Sequence, residues 1–372
     1  MAIKESELTA ARAAGQTQFD TIDYVEFYVG NALQAAHYFR TAYGFRTTAY
    51  SGLETGLRDR HSYLVEQGDI RLVLTAPLTP EGPVAEHVTL HGDGVRDIAF
   101  AVEDAERAFG ETVGRGARPL AEPAEFEEEG GRVVKATVAA FGDTVHTFVQ
   151  RDRGGRTFFP NFRPVENPPP SESAGLTSID HVAVTVERGG LDELVDFYNR
   201  VMGFYQSHEE DITTDYSGMN SKVVQNRRGP IKFPIMEPAT GRRKSQIEEF
   251  LAFYRGPGAQ HLAVTTDDIV STVRRLRANG VEFLRTPASY YDTLEERVGR
   301  IDEDVEALRE LNILVDLDES GYLMQIFAKP LHSRPTLFVE IIQRRGARGF
   351  GGGNIKALFE AVEREQAKRG NL

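Results

Sequence analysis

The chain repeats itself, and this constrains its fold more than any single motif does. TIDYVEFYV (Thr21 to Val29) has the same two-residue alternation as SIDHVAVTV (Ser178 to Val186), and each reads as a half-buried strand. AAHYFRTAYGF, ending at Phe45, and ELVDFYNRVMGF, ending at Phe204, follow as amphipathic helices stopped by glycine and succeeded by strand material. DGVRDIAFAVED (Asp93 to Asp104) then corresponds to PGAQHLAVTTDD (Pro257 to Asp268), and HTFVQR (His146 to Arg151) to TLFVEIIQR (Thr336 to Arg344). The pattern predicts an α+β protein of tandem βαβββ modules, with residues 1–151 as one half and 178–372 as the other. The Pro- and Gly-rich run 152–177 reads as the connection between them.

Composition limits what such a scaffold can do. With 372 residues, each half can bury its own core. A formal net charge of −13 argues against nucleic acid or an anionic membrane as partner. Cysteine is absent, so thiolate nucleophiles, disulfides and Cys-held metals are excluded, and any metal must be held by His, Asp or Glu. No apolar run approaches the ~18 residues needed to cross a bilayer. The opening MAIKESELTAARAAGQ lacks the apolar core of a signal peptide, so a cytoplasmic location is expected.

Aligned as repeats, the halves differ in kind at three positions. Tyr24, Asp97 and Gln150 in the first half stand against His181, His261 and Glu340 in the second. By alternation His181 shares a strand face with Ile179, Ala183 and Thr185, His261 with Ala263 and Thr265, and Glu340 with Phe338 and Ile342. A carboxylate among such neighbours is costly unless paired or bound to a cation. A lone histidine there would be an ordinary core residue. Two histidines and a glutamate at matching module positions pose three burial problems that one divalent cation solves together. Two His and one carboxylate leave neighbouring coordination positions open, the arrangement of non-haem Fe(II) oxygenases. Structural zinc would want a fourth protein ligand, whereas the ligands alone leave catalytic zinc open. His37, His61, His87, His91, His146, His208 and His332 show no paired placement and are expected to be surface or ordinary hydrogen-bonding residues.

Polar groups for a substrate lie nearby in the pattern. YLMQIFAKP puts Gln325 and Phe327 on one strand face, Gln260 adjoins His261, and Ser221 and Gln246 supply a hydroxyl and an amide. In the run Arg348 to Gly370 the glycines predict a hinge, with Asn354 capping a helix whose apolar stripe is Ile355, Leu358, Phe359 and Val362. Such a helix makes a natural lid.

Across nearly its whole length, most closely from Ser178 onward, the chain resembles the 4-hydroxyphenylpyruvate dioxygenase family of the vicinal oxygen chelate (glyoxalase/dioxygenase) superfamily. IDHVAVTV, YSGMNSKVV, IKFPIMEPA, KSQIEEFLAFYRGPGAQHLAV, ILVDLDESGYLMQIFAKP, RPTLFVEIIQRRGARGFGGGN and KALFEAVEREQAKRGNL all look like that family's blocks. The resemblance implies two half-barrel-like domains with a C-terminal lid helix. It implies Fe(II) at His181, His261 and Glu340, catalytic roles for Ser221, Gln260 and Gln325, and a substrate pocket with Gln246, Met236, Phe327, Phe338, Phe350 and Ile355. The implied reaction takes 4-hydroxyphenylpyruvate and O₂ to homogentisate and CO₂ in tyrosine catabolism, with the 2-oxo acid chelating the iron. The first half, without ligands, is expected to be structural, and a homo-oligomer would fit its exposed sheet edges.

Two positions depart from the family. Its dioxygenases usually carry Asn at Met236 and Phe at Ile355, whereas the sister enzyme 4-hydroxymandelate synthase is similar to this chain at both. That enzyme hydroxylates the benzylic carbon of the same substrate, so the product stays open, as does a less polar ring such as that of phenylpyruvate. An extradiol ring-cleaving dioxygenase and a non-catalytic binding protein of the same fold are the competing classes.

Overall fold

The computed structural model describes residues 18–128, 131–152 and 158–370. The opening read for a leader and residues 153–157 of the connection lie outside them.

Each half contains two modules. The first runs β1 (Phe19–Tyr28), α1 (Ala32–Tyr43), β2 (Arg46–Ser51), β3 (Arg60–Gln67) and β4 (Ile70–Pro77). After α2 (Pro83–His91), the second runs β5 (Gly94–Val102), α3 (Ala105–Gly114), β6 (Pro119–Glu128), β7 (Gly131–Ala139) and β8 (Val145–Arg151). Past β9 (Arg163–Pro164), the third comprises β10 (Leu176–Thr185), α4 (Leu191–Asp196), β11 (Tyr205–Thr213), β12 (Gly218–Gln225) and β13 (Lys232–Pro238). Helix α5 (Gln246–Tyr254) leads to the fourth: β14 (Gly258–Thr266), α6 (Ile269–Ala278), three short helices, β15 (Leu314–Asp318), β16 (Gly321–Phe327) and β17 (Phe338–Arg345). A final helix spans Gly352–Lys368.

A helical crossover lets the first and last strands of a module lie parallel, and all four modules do so: β1 with β4, β5 with β8, β10 with β13 and β14 with β17. The first strands of paired modules then join antiparallel, β1 to β5 and β10 to β14. Among the described residues the results are two curled sheets, one of nine strands and one of eight. Alternation decides what each face holds. Val25 and Phe27 of β1, like Val182 and Val184 of β10, enter the helix-covered core, while Tyr24 and Ala183 face the other way into separate clusters.

The large core does not respect the division into halves. Phe19 lies 5.8 Å from Phe204, Phe100 lies 6.2 Å from Phe233, and His146 Nε2 is 2.9 Å from the Tyr198 hydroxyl. Nor is the connection a solvated tether: Phe159 is buried edge-on against Tyr24, Arg163–Pro164 pairs with β2, and Ala174 joins the core. Among the remaining histidines His87 departs from expectation. It is buried, has no hydrogen-bond partner among the described residues, and burial pushes it down to about 3.

The register corrects one repeat position. Asp97 pairs with Val145 and His261 with Phe338, so Thr147, not Gln150, stands where Glu340 stands. Gln150 is instead the counterpart of Gln343. Each glutamine accepts from the first amide of its module's helix, Ala105 at 3.1 Å and Ile269 at 2.8 Å. The sequence comparison matched FVQ to FVE, whereas the structural match is between the terminal QR pairs, three residues further on.

The corrected trio is bonded to itself. The Tyr24 and Thr147 hydroxyls donate to Asp97 Oδ2 at 2.7 and 2.6 Å, and the Thr147 amide donates to Oδ1 at 3.1 Å. Burial pushes the Asp97 carboxyl up to about 7, against the pull of those hydrogen bonds. An unfolded chain ionises aspartate near ~3.9. The contribution of Asp97 is therefore fully present below that pH and lost as pH rises through about 7. Asp97→Asn is expected to flatten the loss of stability between about pH 4 and about pH 8 by roughly 4 kcal/mol at most. Urea unfolding across that range measures this, and identical profiles for the two proteins would refute it.

Candidate metal centre

Three neighbouring strands of the eight-stranded sheet bring the site together. His181 of β10 is opposite Ala263 of β14, Ala263 is opposite Glu340 of β17, and His261 lies two residues before Ala263, so one concave face carries all three side chains. Both imidazole Nε2 atoms are 3.4 Å from Glu340 Oε2, and the potential ligand atoms lie within 4.8 Å of one another. All three residues are buried.

Neighbours fix which ring nitrogens face inward. His181 Nδ1 is 2.8 Å from Asp180 Oδ1 and His261 Nδ1 is 3.2 Å from Gln260 Oε1, so Nε2 of each points to the centre. Gln325 Nε2 donates to Glu340 Oε1 at 2.8 Å. Burial drives the Glu340 carboxyl up, but the charges and hydrogen bonds of His181 and His261 outweigh it and hold the group at about 2. Burial likewise opposes charging of His181, yet Glu340 and Asp180 raise it above the usual range, while for His261 burial wins and lowers it. The cluster thus offers an ionised carboxylate and two oriented imidazoles, a donor set that fits a divalent metal of the borderline class.

Of the remaining anticipated residues, Phe327, Phe338, Phe350 and Gln260 adjoin the three directly. Phe338 stacks on His261 at 4.8 Å, and Phe350 meets the His181 ring edge-on at 5.1 Å. Phe327 pairs with Glu340 across β16 and β17. Gln260 Nε2 is 3.5 Å from Gln246 Oε1, joining β14 to α5. Ser221 is opposite Met236 on β12 and β13, and its hydroxyl donates to the Glu210 carbonyl at 2.8 Å. Met236 and Ile355 pack in one apolar cluster with Ala183, Ile212, Met219, Ile247 and Phe359.

Asn354 is not the helix cap. Gly351 occupies that position with φ 68°, where a side chain would be strained and its Cβ would come within 2.9 Å of Asp316. Asn354 instead turns into the site. Its Nδ2 donates to Gln325 Oε1 at 2.8 Å and its Oδ1 accepts from the Tyr290 hydroxyl at 2.8 Å, while Asp316 Oδ2 takes up its backbone amide. The final helix is thereby tied to the carboxylate at the centre.

Sequence reasoning missed Asp180, Arg344 and Lys232. Arg344 forms a two-pronged pair with Asp180 at 2.6 and 2.8 Å and also donates to the carbonyls of Ala347 and Gly349, while Lys232 approaches Asp180 at 3.9 Å. Strict alternation places Asp180 on the face opposite His181. A register irregularity between Ile179 and His181 overrides that alternation. An acid beside a histidine in an otherwise apolar strand was the available signal. Asp180→Ala would strand the Arg344 guanidinium and free the His181 ring, and is expected to cost about 3–5 kcal/mol of stability and about 10–100-fold in metal affinity. Unfolding combined with metal titration tests this, and an unchanged metal affinity in a folded variant would contradict it.

Residues 178–326 match the model of the Glyoxalase/Bleomycin resistance protein/Dioxygenase superfamily, and residues 15–161 that of the hydroxyphenylpyruvate dioxygenase N-terminal domain. Fold, site and these matches define a metal-dependent dioxygenase of the vicinal oxygen chelate class. The 4-hydroxyphenylpyruvate dioxygenase of Yarrowia lipolytica is 43% identical over 366 residues, covering 94% of this chain and 93% of that one. That of Dictyostelium discoideum is 44% identical over 363 residues, covering 94% and 99%. The chain belongs to the 4-hydroxyphenylpyruvate dioxygenase family. Among solved structures, a mutant of 4-hydroxymandelate synthase from Streptomyces coelicolor superposes with a TM-score of 0.86 at 40% identity, covering 94% of this chain and 99% of that one.

Proposed function

We propose that this protein uses Fe(II) to convert 4-hydroxyphenylpyruvate and O₂ into homogentisate and CO₂, within aromatic amino acid catabolism in the cytoplasm. The buried His181, His261 and Glu340 cluster carries the reading, supported by near-full-length similarity to proteins named for that activity. Those three residues would hold the iron, whose contribution is to bind the 2-oxo acid and activate O₂. Asp180 and Gln260 keep the imidazole Nε2 atoms turned inward, and Gln325 keeps the carboxylate in place. Gln246, Gln260 and Ser221 supply the polar contacts that orient the substrate, and Phe327, Phe338 and Phe350 wall its ring. The helix Gly352–Lys368, latched through Asn354, excludes water.

A second reading, benzylic hydroxylation to 4-hydroxymandelate, is favoured by one observation. Met236 and Ile355, the two positions at which the resemblance sets this chain apart from the family's dioxygenases and toward the synthase, meet in the same apolar cluster. Aerobic incubation with Fe(II), ascorbate and 4-hydroxyphenylpyruvate, followed by product identification, separates the two. Homogentisate is expected. Predominant 4-hydroxymandelate would establish the second reading, and no turnover would refute both.

A further inference from the structure

The N-terminal half holds a half-open cavity of about 510 Å³ on the concave face of its own sheet, within the range of small-molecule sites. Its floor contains Tyr24, Asp97 and Thr147, the structural counterparts of His181, His261 and Glu340. Because those side chains bond one another, they present no metal-ligating set. The walls nevertheless have a definite chemistry.

Three cations line the cavity, Arg60, Arg96 and Lys135, along with two acids, Glu26 and Asp97. The acids are already satisfied by hydroxyls: Glu26 Oε1 accepts from Thr75 at 2.6 Å, and Asp97 from Tyr24 and Thr147. Among the described residues no ion pair joins any of the three cations to either acid. Arg60 pairs with Asp59 at the rim at 2.8 Å, and Arg96 donates to the main-chain carbonyl of Asp143. Lys135 lies over aromatic faces, its Nζ 4.9 Å from the Phe159 centroid and 5.6 Å from that of Phe126. With Arg60 balanced by Asp59 at the rim, Arg96 and Lys135 face Glu26 and Asp97, and burial pushes both of these acids toward their neutral forms, which leaves the lining positive.

Beside this positive charge are apolar rings. Phe126, Phe159 and Phe162 line the chamber, the last two delivered by the connection that folds back over the sheet. A bare inorganic anion would use none of this aromatic surface, and a neutral arene none of the positive charge. We propose that the N-terminal half-barrel is a binding site for a small aromatic carboxylic acid, its carboxylate held by Lys135 with Arg60 and Arg96 beside it, and its ring lying against Phe126 and Phe159. The site is separate from the metal centre, needs no metal, and makes the first half a ligand-binding domain rather than only a scaffold.

The probe is phenylacetate, which has the ring and carboxylate but no 2-oxo group, titrated calorimetrically into the full-length, iron-loaded protein. Binding is expected to persist in Glu340→Ala, to weaken by at least about tenfold in Lys135→Met, and to be at least about tenfold weaker for neutral phenylacetamide. Lys135 is half-buried on the N-terminal sheet, so Lys135→Met is expected to keep its turnover and unfolding midpoint. Should that variant fail to fold, Arg96→Met reads the same contact. No binding up to about 10 mM, or binding lost in Glu340→Ala but unaltered in both cation variants, would overturn the assignment.

Discussion

Glu340→Ala is expected to abolish metal retention and turnover together while leaving a folded protein. The carboxylate is buried at the meeting point of two imidazoles, each 3.4 Å away, with a third hydrogen bond from Gln325. A buried anion in such surroundings is strongly unfavourable unless countercharged, and Glu340 accordingly raises the His181 imidazole above its usual range despite burial. Removing the acid removes that need, and both histidines can then sit neutral, which is why the fold should survive. What cannot survive is the affinity for a divalent ion. Losing an outer partner of a metal ligand typically costs 10–100-fold, and losing the only anionic ligand should exceed about 100-fold. Glu340→Gln keeps the acceptor for Gln325 but not the charge, and is expected to retain fold and shape while still losing most of the metal. Metal content after desalting, circular dichroism and turnover test this jointly. Stoichiometric iron in a folded Glu340→Ala protein would mean that the cluster is not the metal site.

The clustered trio was legible in the sequence because the repeat supplied a control. His181 and His261 occupy strand positions at which Tyr24 and Asp97 show what the scaffold carries when no metal is bound, and the structure pairs those positions as the repeat required. Glu340 was found despite a faulty counterpart. Its true partner Thr147 is a small hydroxyl residue without similarity to glutamate, so residue likeness pulled the match three positions along to Gln150. What period-two reasoning could not supply was anything created by irregular backbone. The bulge at Ile179 to His181 puts Asp180 and His181 into contact. The left-handed Gly351 starts the final helix early enough to carry Asn354 inward, although asparagine before an apolar stripe ordinarily reads as a cap. The connection misled in a similar way. Its prolines and glycines indicate loop, yet among its described residues Arg163–Pro164 form β9, Phe158 packs on the cluster around Tyr24, and Phe159 and Phe162 line the N-terminal chamber.

The pair Met236→Asn and Ile355→Phe is expected to shift the product ratio by at least about tenfold toward homogentisate, a barrier difference of only about 1.4 kcal/mol. Met236 comes from β13 and Ile355 from the final helix, and the cluster they share is lined by Ala183, Ile212, Met219, Ile247 and Phe359. None of these side chains offers a hydrogen-bond donor to a ring hydroxyl. A substrate ring lying against this cluster would meet no hydrogen-bond donor from it, and displacement by about 1 Å is enough to change reactivity by about 100-fold. A flat Phe in place of the branched Ile presents a larger face to the ring, and an amide in place of the thioether gives the ring hydroxyl a partner. The same change carries a cost in the free protein. An asparagine without a partner at that buried position should lower stability by about 1–3 kcal/mol, and a substrate analogue bearing the ring hydroxyl should recover part of the loss where phenylpyruvate does not. Chromatography of both products from wild type, each single variant and the pair, alongside unfolding midpoints with and without ligand, distinguishes positioning from damage. An unchanged product ratio in a folded, active double variant would show that this cluster does not decide which carbon is oxidised.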